Sequence, residues 1–163
     1  MSGLIEIVPE ILKRIPDFVL YIIGDGPEEE KLRNMVVSQK LTQSVLFIGR
    51  LDKTALMQYL AVADVFILNT EYEGFSNQLL EVYAAGTPIV TTDIAGNRGV
   101  VSHGISGLVV ELRKSEALTR AILEVLTDKA LAQRLVDGGR EKLQEFSIQR
   151  VLIATATFLS EIR

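Results

Sequence analysis

The chain has 163 residues, 48% of them hydrophobic and 23% charged, which is the make-up of one globular domain with a sizeable core and leaves no room for a long disordered tail. With 17 basic against 21 acidic residues, a formal charge of -4 and no visible basic cluster, nucleic acid is excluded as a main partner. There is no cysteine for disulfide or thiolate chemistry, and no apolar run approaches the roughly 18 residues of a membrane span, so the expectation is a soluble, cytoplasmic protein.

In chain order, Leu4, Ile7, Val8, Ile11, Leu12 and Ile15 form a helical stripe, which Pro9 would disturb and Pro16-Asp17 ends. Phe18 to Ile23 predicts a buried strand, and Gly24-Asp25-Gly26-Pro27 a turn that feeds a helix with proline at its first position. Glu28, Glu29 and Glu30 then sit at the positive end of that helix, so the acidic run reads as a helix start and not a metal site. The helix runs to about Lys40. Val45 to Ile48 is a further apolar run ending at Gly49-Arg50, and Thr54 to Ala61 is a helix. Val65 to Leu68 and Ile89 to Thr92 read as strands buried on both faces. Between them, Leu79, Leu80, Tyr83 and Ala84 fall at helical spacing, and Gly86 and Pro88 stop that helix.

Ile94 to Gly99 is a glycine-rich loop, His103-Gly104 a turn, and Gly107 to Val110 the last short strand. Three helical segments follow, near Ala117 to Leu126, Lys129 to Phe146 and Ile148 to Ile162. There is no repeat or internal linker, so residues 1–163 read as a single domain with C-terminal helices from about residue 115. Strands alternating with helices predict a three-layer α/β sandwich with a mostly parallel sheet.

The chemistry concentrates between Leu68 and Leu79. Ser76 and Asn77 are good helix caps, so backbone N–H groups from about Phe75 to Leu79 point out of a helix N-terminus at a strand end, an arrangement suited to an anion. Glu73 and Glu81 frame that site and would repel an anion unless they face other groups. Sugar hydroxyls fit, since a carboxylate offers several acceptor positions. Gly74 suits a tight strand-to-helix turn, and Gly24 and Arg50 follow strands at the same sheet edge, near a bound nucleotide if the sheet is parallel.

Glu73-Gly74-Phe75-Ser76-Asn77, then Glu81 after seven intervening residues, then Ala84-Ala85-Gly86-Thr87-Pro88-Ile89-Val90, resembles the donor-binding signature of the group 1, or family 4, retaining glycosyltransferases. Gly24-Asp25-Gly26-Pro27, Phe47-Ile48-Gly49, Ala63-Asp64-Val65 and His103-Gly104-Ile105-Ser106-Gly107-Leu108-Val109 agree in order. The resemblance covers nearly the whole chain. It implies the C-terminal Rossmann-like half of a GT-B fold, in which two such domains face each other across a cleft.

It further implies transfer of a sugar from a nucleoside diphosphate sugar to an acceptor hydroxyl, without a metal or other cofactor. Glu73 would lie near the donor sugar and help place or stabilise the reacting anomeric centre, and Glu81 would accept hydrogen bonds from the ribose. Phe75, Ser76, Asn77 and Leu79 would act mainly through backbone N–H groups, and Gly74, Gly24 and Arg50 complete the donor-binding set. The acceptor site would come from an N-terminal domain or a partner chain, which could also bring the protein to the cytoplasmic membrane face; this chain alone would be inactive.

The sequence departs from the family in one respect. Family members begin this domain with a strand ending in Gly-Arg and a Lys-Gly soon after, whereas this sequence opens inside the following helix. Either the neighbours of that strand pair directly, or another chain fills the gap. A non-catalytic or split module that acts only with a partner is the alternative reading. A phosphorylase or epimerase of the same fold is a third, but no matching pyridoxal-lysine motif is present. Arg98 reads as a donor contact or a solvated charge, and His103, the single histidine, as a turn residue with no companion ligands.

Overall fold

The structure, a computed structural model, describes residues 2–71 and 77–146. The helix expected near Ile148 to Ile162 therefore lies outside the described residues. The elements run in the order α1 (Ser2–Leu12), β1 (Leu20–Ile23), α2 (Glu29–Ser38), β2 (Val45–Gly49), α3 (Lys53–Val62), β3 (Phe66–Leu68), α4 (Asn77–Ala85), β4 (Ile89–Thr92), α5 (Ala95–Arg98), β5 (Leu108–Val110), α6 (Ser115–Thr127) and α7 (Lys129–Glu145).

Every strand pair is parallel. Leu20 stands opposite Val45, Phe66 opposite Ile89, and Val90 opposite Leu108. β4 shows how the layers form. Strand side chains alternate between faces, and Ile89 enters one core with Leu60, Leu79, Val82 and Tyr83 of α3 and α4, whereas Val90 enters another with α1 and α6. All four β4 residues are buried, as a strand covered on both faces requires. The expected three-layer α/β sandwich is therefore present.

The strands form two sheets, β1-β2 and β3-β4-β5. Among the described residues no strand of one sheet pairs with a strand of the other. The two sheets share a core instead: Leu20, Ile22 and Val45 of the first pack in one cluster with Val90, Leu108 and Val110 of the second, joined by Leu4, Ile5, Val8 and Ile11 of α1 and Ile122 of α6.

Several local expectations are corrected. Pro9 lies inside α1 without ending it, because buried residues on both sides (Ile5, Ile7, Val8, Ile11) hold the helix against the core. α2 begins at Glu29, so Pro27 and Glu28 belong to the preceding turn and not the first helical turn, and it ends at Ser38. Residues 95–98 form one turn of helix where a glycine-rich loop was expected, since Asn97 is drawn into the interior by side-chain hydrogen bonds. Gly86 ends α4 as expected: at φ +78° its N–H donates to Val82 O at 3.1 Å, a left-handed cap without the penalty a Cβ would bring.

Candidate functional site

The C-terminal edges of parallel strands hold the turns that lead into the helices, and two of the expected site residues, Gly24 and Arg50, are found there. Gly24 and Gly49 close β1 and β2 together, with Gly24 N–H donating to Gly49 O at 2.8 Å and both in left-handed φ. The next residues, Asp25 and Arg50, meet at 2.6 Å, Arg50 Nε donating to Asp25 Oδ1. That bond raises the guanidinium's proton affinity further, although the side chain is largely exposed. Gly24 and Arg50 are thus brought to one edge, as expected, with Arg50 already paired.

Asp52 caps α3 by accepting from Ala55 N–H at 2.8 Å, which places Lys53 as the first residue of that helix. Lys53 Nζ lies 3.6 Å from Glu81 Oε1 in α4. Sequence reasoning missed Lys53. The available signal was a lysine at a helix N-terminus, where the dipole disfavours a cation unless it reaches another group. Glu81, with 35% of its side-chain surface exposed, is therefore a half-buried carboxylate held by a neighbouring helix, not a freely solvated helix acid.

α4 begins at Asn77, which is its first helical residue and not a cap outside it, and the expected cap Ser76 lies outside the described residues. Leu79 is completely buried and acts as core through its side chain. Glu73, Gly74, Phe75 and Ser76 lie outside the described residues.

Just past the end of β3, Glu71 accepts two bonds from Arg113, Nε to Oε1 at 3.0 Å and Nη2 to Oε2 at 2.8 Å. This fork holds the Glu71 carboxyl below the usual carboxylate range. Arg113 adopts φ 60°, uncommon for a residue with a side chain. Asp93 receives the same treatment from Arg98, at 2.5 and 2.9 Å, and its pKa is also lowered by that hydrogen bonding. Arg98 is therefore a paired surface charge in this structure. His103 Nδ1 accepts from Val109 N–H at 3.0 Å, which fixes it as a turn residue and leaves the proton of the neutral ring on Nε2.

Two shallow grooves flank these residues. One of about 630 Å³ runs between α3 and α4, lined by Lys53, Met57, Ala61, Ala84 and Ala85 among others. It follows the helix flanks toward their C-termini, away from the strand ends, and only Lys53 connects it to the site. The other, about 310 Å³, lies beside Asp93, Arg98, His103 and Glu111. Among the described residues no cluster of His, Cys, Asp or Glu has the make-up to hold a metal ion, and no helix is long and apolar enough to cross a membrane.

The described chain is thus a parallel α/β sandwich in which α4, the helix between β3 and β4, carries Glu81. The model of the family described as "Glycosyl transferases group 1" matches residues 1–142, and the chain belongs to that family. The lipopolysaccharide core biosynthesis glycosyltransferase LpsE of Rhizobium meliloti is 34% identical over 134 residues, 82% of this chain and 39% of that protein. Staphylococcus aureus TarM, in a structure described as a complex with Fondaparinux, alpha-GlcNAc-glycerol and UDP, has the same fold with a TM-score of 0.87 at 21% identity, over 96% of this chain and 32% of that one. The C-terminal domain of the group 1 family protein LpcC of Francisella tularensis matches with a TM-score of 0.79 at 20% identity, over 89% of this chain and 77% of that one. The chain thus spans about two fifths of the length of the curated relatives it matches.

Proposed function

We propose that this chain is the nucleotide-sugar donor-binding part of a retaining glycosyltransferase. The observation that carries the reading is Glu81, held by Lys53 one turn into a helix that starts at the C-terminal edge of the parallel strands. A ribose with two adjacent hydroxyls can exchange for the lysine, since a carboxylate accepts from both. The diphosphate would lie at the α4 N-terminus, where N–H groups Asn77 to Leu79 and the helix dipole stabilise charge building on the leaving group. Gly24 and Arg50 line the neighbouring strand ends on the nucleotide side. The sequence motif assigns Glu73 to the donor sugar and Gly74, Phe75 and Ser76 to the turn, without a metal or other cofactor. Acceptor recognition falls to an N-terminal domain or a partner chain, and this chain alone is inactive in transfer.

One observation favours a second reading, a split or non-catalytic module that completes itself with a partner: β1-β2 and β3-β4-β5 are separate sheets. One experiment separates the two. Thermal unfolding is followed with UDP, GDP and ADP and their glucose or mannose conjugates at millimolar concentration. A selective rise with one base supports a formed donor site through the linkage of binding and stability. Glu81→Ala should then weaken that nucleotide by about 1–3 kcal/mol, the loss expected when hydrogen bonds to a charged acceptor are removed. No rise with any nucleotide, in a folded chain, rejects the donor-site reading in favour of the incomplete module.

A further inference from the structure

A buried polar relay runs from α5 to the exit of β3. Asn97 is completely buried, and its Nδ2 donates to Thr91 Oγ1 at 2.7 Å and to Thr92 O at 3.0 Å. Thr91 Oγ1 donates to Leu68 O at 3.1 Å, and Thr92 Oγ1 to Thr70 O at 2.6 Å. Both threonines are themselves buried. Strand pairing between β3 and β4 stops at Leu68 opposite Thr91, so the Thr92 hydroxyl continues the connection two residues beyond the strand. Glu71, the next residue, is gripped by Arg113 in its left-handed conformation.

Three successive features of the chain leaving β3 are therefore held by side chains: Leu68 O, Thr70 O and the Glu71 carboxylate. The two carbonyls need partners where the chain turns away from β4, and here the partners are the hydroxyls of Thr91 and Thr92, so the path of the chain leaving β3 is tied to those side chains. Asn97 sharpens the point, since its Oδ1 is buried and has no hydrogen-bond partner among the described residues. A buried acceptor left this way is costly. Its retention makes sense if the residue is kept for the two bonds its amide nitrogen donates.

We propose that Asn97, Thr91, Thr92 and Arg113 are positioning residues that set where the chain enters the segment carrying Glu73, three residues after Thr70. The proposal rests on the donor-site reading above. Glu73 is assigned to the sugar and Glu81 to the ribose, so loosening the relay should hurt the sugar part of the donor more than the nucleotide part. A merely structural role would lower the unfolding temperature and leave that ratio unchanged.

The test measures dissociation constants by titration calorimetry for UDP against UDP-glucose, GDP against GDP-mannose and ADP against ADP-glucose, in the wild-type chain, T92V, T92S and R113Q. Thr92→Val keeps the shape and removes the bond to Thr70; Thr92→Ser restores it. For the pair that the wild-type chain binds, T92V and R113Q should weaken the nucleotide sugar by about fivefold, the loss that goes with a hydrogen bond, while the bare nucleotide changes by less than about twofold. T92S should match the wild type. Equal affinities in wild type and both variants overturn the relay but not the donor site. If T92V does not fold, R113Q decides alone, since its side chain is on the surface. A wild-type chain that binds none of the six compounds overturns the donor-site reading and the relay with it.

Discussion

Replacing Gly138 by alanine sets two effects of opposite sign against each other. Gly138 lies in the middle of α7, where glycine costs about 1 kcal/mol relative to alanine, so propensity alone predicts stabilisation by that amount. A Cβ at this position would instead run into the Ile105 carbonyl oxygen, well inside van der Waals contact, and stand 2.8 Å from the carbonyl carbon. The obstacle is backbone. Ile105 N–H donates to Ser102 O at 3.1 Å, Ser106 N–H to the same oxygen at 3.0 Å, and Ser106 Oγ accepts from Ser102 N–H at 3.0 Å, so this turn has little freedom to retreat. Overpacking of this kind costs about 1–3 kcal/mol, and a rigid obstacle places it at the upper end. The difference, about 2 kcal/mol of net destabilisation, corresponds to a fall of roughly 4–8 °C in a domain of this size. Circular dichroism melts of wild type and G138A measure it. An unchanged or higher melting temperature would mean that α7 shifts freely over the turn and would refute the packing argument. The consequence for function runs through Gly139, whose added Cβ would meet the Tyr83 ring at 2.5 Å: α7 sits this close in order to back α4, which carries Glu81.

Tyr83 supplies a pH prediction. Burial pushes its phenol up to about 12 from the usual 10.0, against the opposing effect of its hydrogen bond with Ser106. A pKa raised on folding contributes stability that is complete below pH 10.0 and is lost as the pH rises toward about 12. Urea midpoints taken at about pH 9 and about pH 11 should therefore fall more in the wild type than in Y83F, which has no proton to lose; parallel falls would remove the tyrosine from the explanation. Glu73→Ala, assayed in a protein that also carries the acceptor half, should reduce sugar transfer far more than nucleotide binding. Equal losses of both would mean that Glu73 only holds the donor or its loop.

What could be read from the sequence was what local pattern controls. Val45 to Ile48 was legible as a strand because it is a short apolar run stopped by Gly49, Ile89 to Thr92 because it is four β-branched residues after Pro88, and Gly86 because a helix followed by Pro88 needs a left-handed stop. α5 was not legible: four residues with a glycine show no period, and its reason for existing is a set of hydrogen bonds from Asn97 to Thr91 and Thr92. The same applies to the site. Glu81 stood out through its spacing from Glu73, but its partner Lys53 lies 28 residues away in sequence, and nothing local announces such a meeting. Arg113 and Glu71, 42 residues apart, were equally silent. Pro9 misled because its local cost is real, yet the buried face of α1 outweighs it.

The division into two sheets changes how the site must be held together. Gly24 and Arg50 stand at the edge of β1-β2, whereas Glu81 follows β3 in the other sheet, so among the described residues no strand ladder joins these candidate residues. The Lys53–Glu81 ion pair spans them, but an exposed pair at 3.6 Å contributes only about 0–1 kcal/mol. Stronger fastening comes from Thr87, just before β4, whose hydroxyl donates to Leu60 O of α3 at 2.6 Å in a buried setting, and from α3 packing on α4. Beneath both lies the shared core, where Leu20 and Ile22 of one sheet and Val90 and Val110 of the other join one cluster through α1 and α6. The spacing of Arg50 and Glu81 is therefore a property of helix packing. A cavity cut in that shared core, as in Ile5→Ala or Ile122→Ala, would loosen that spacing as well as lower stability, by the usual roughly 2–5 kcal/mol for a buried isoleucine.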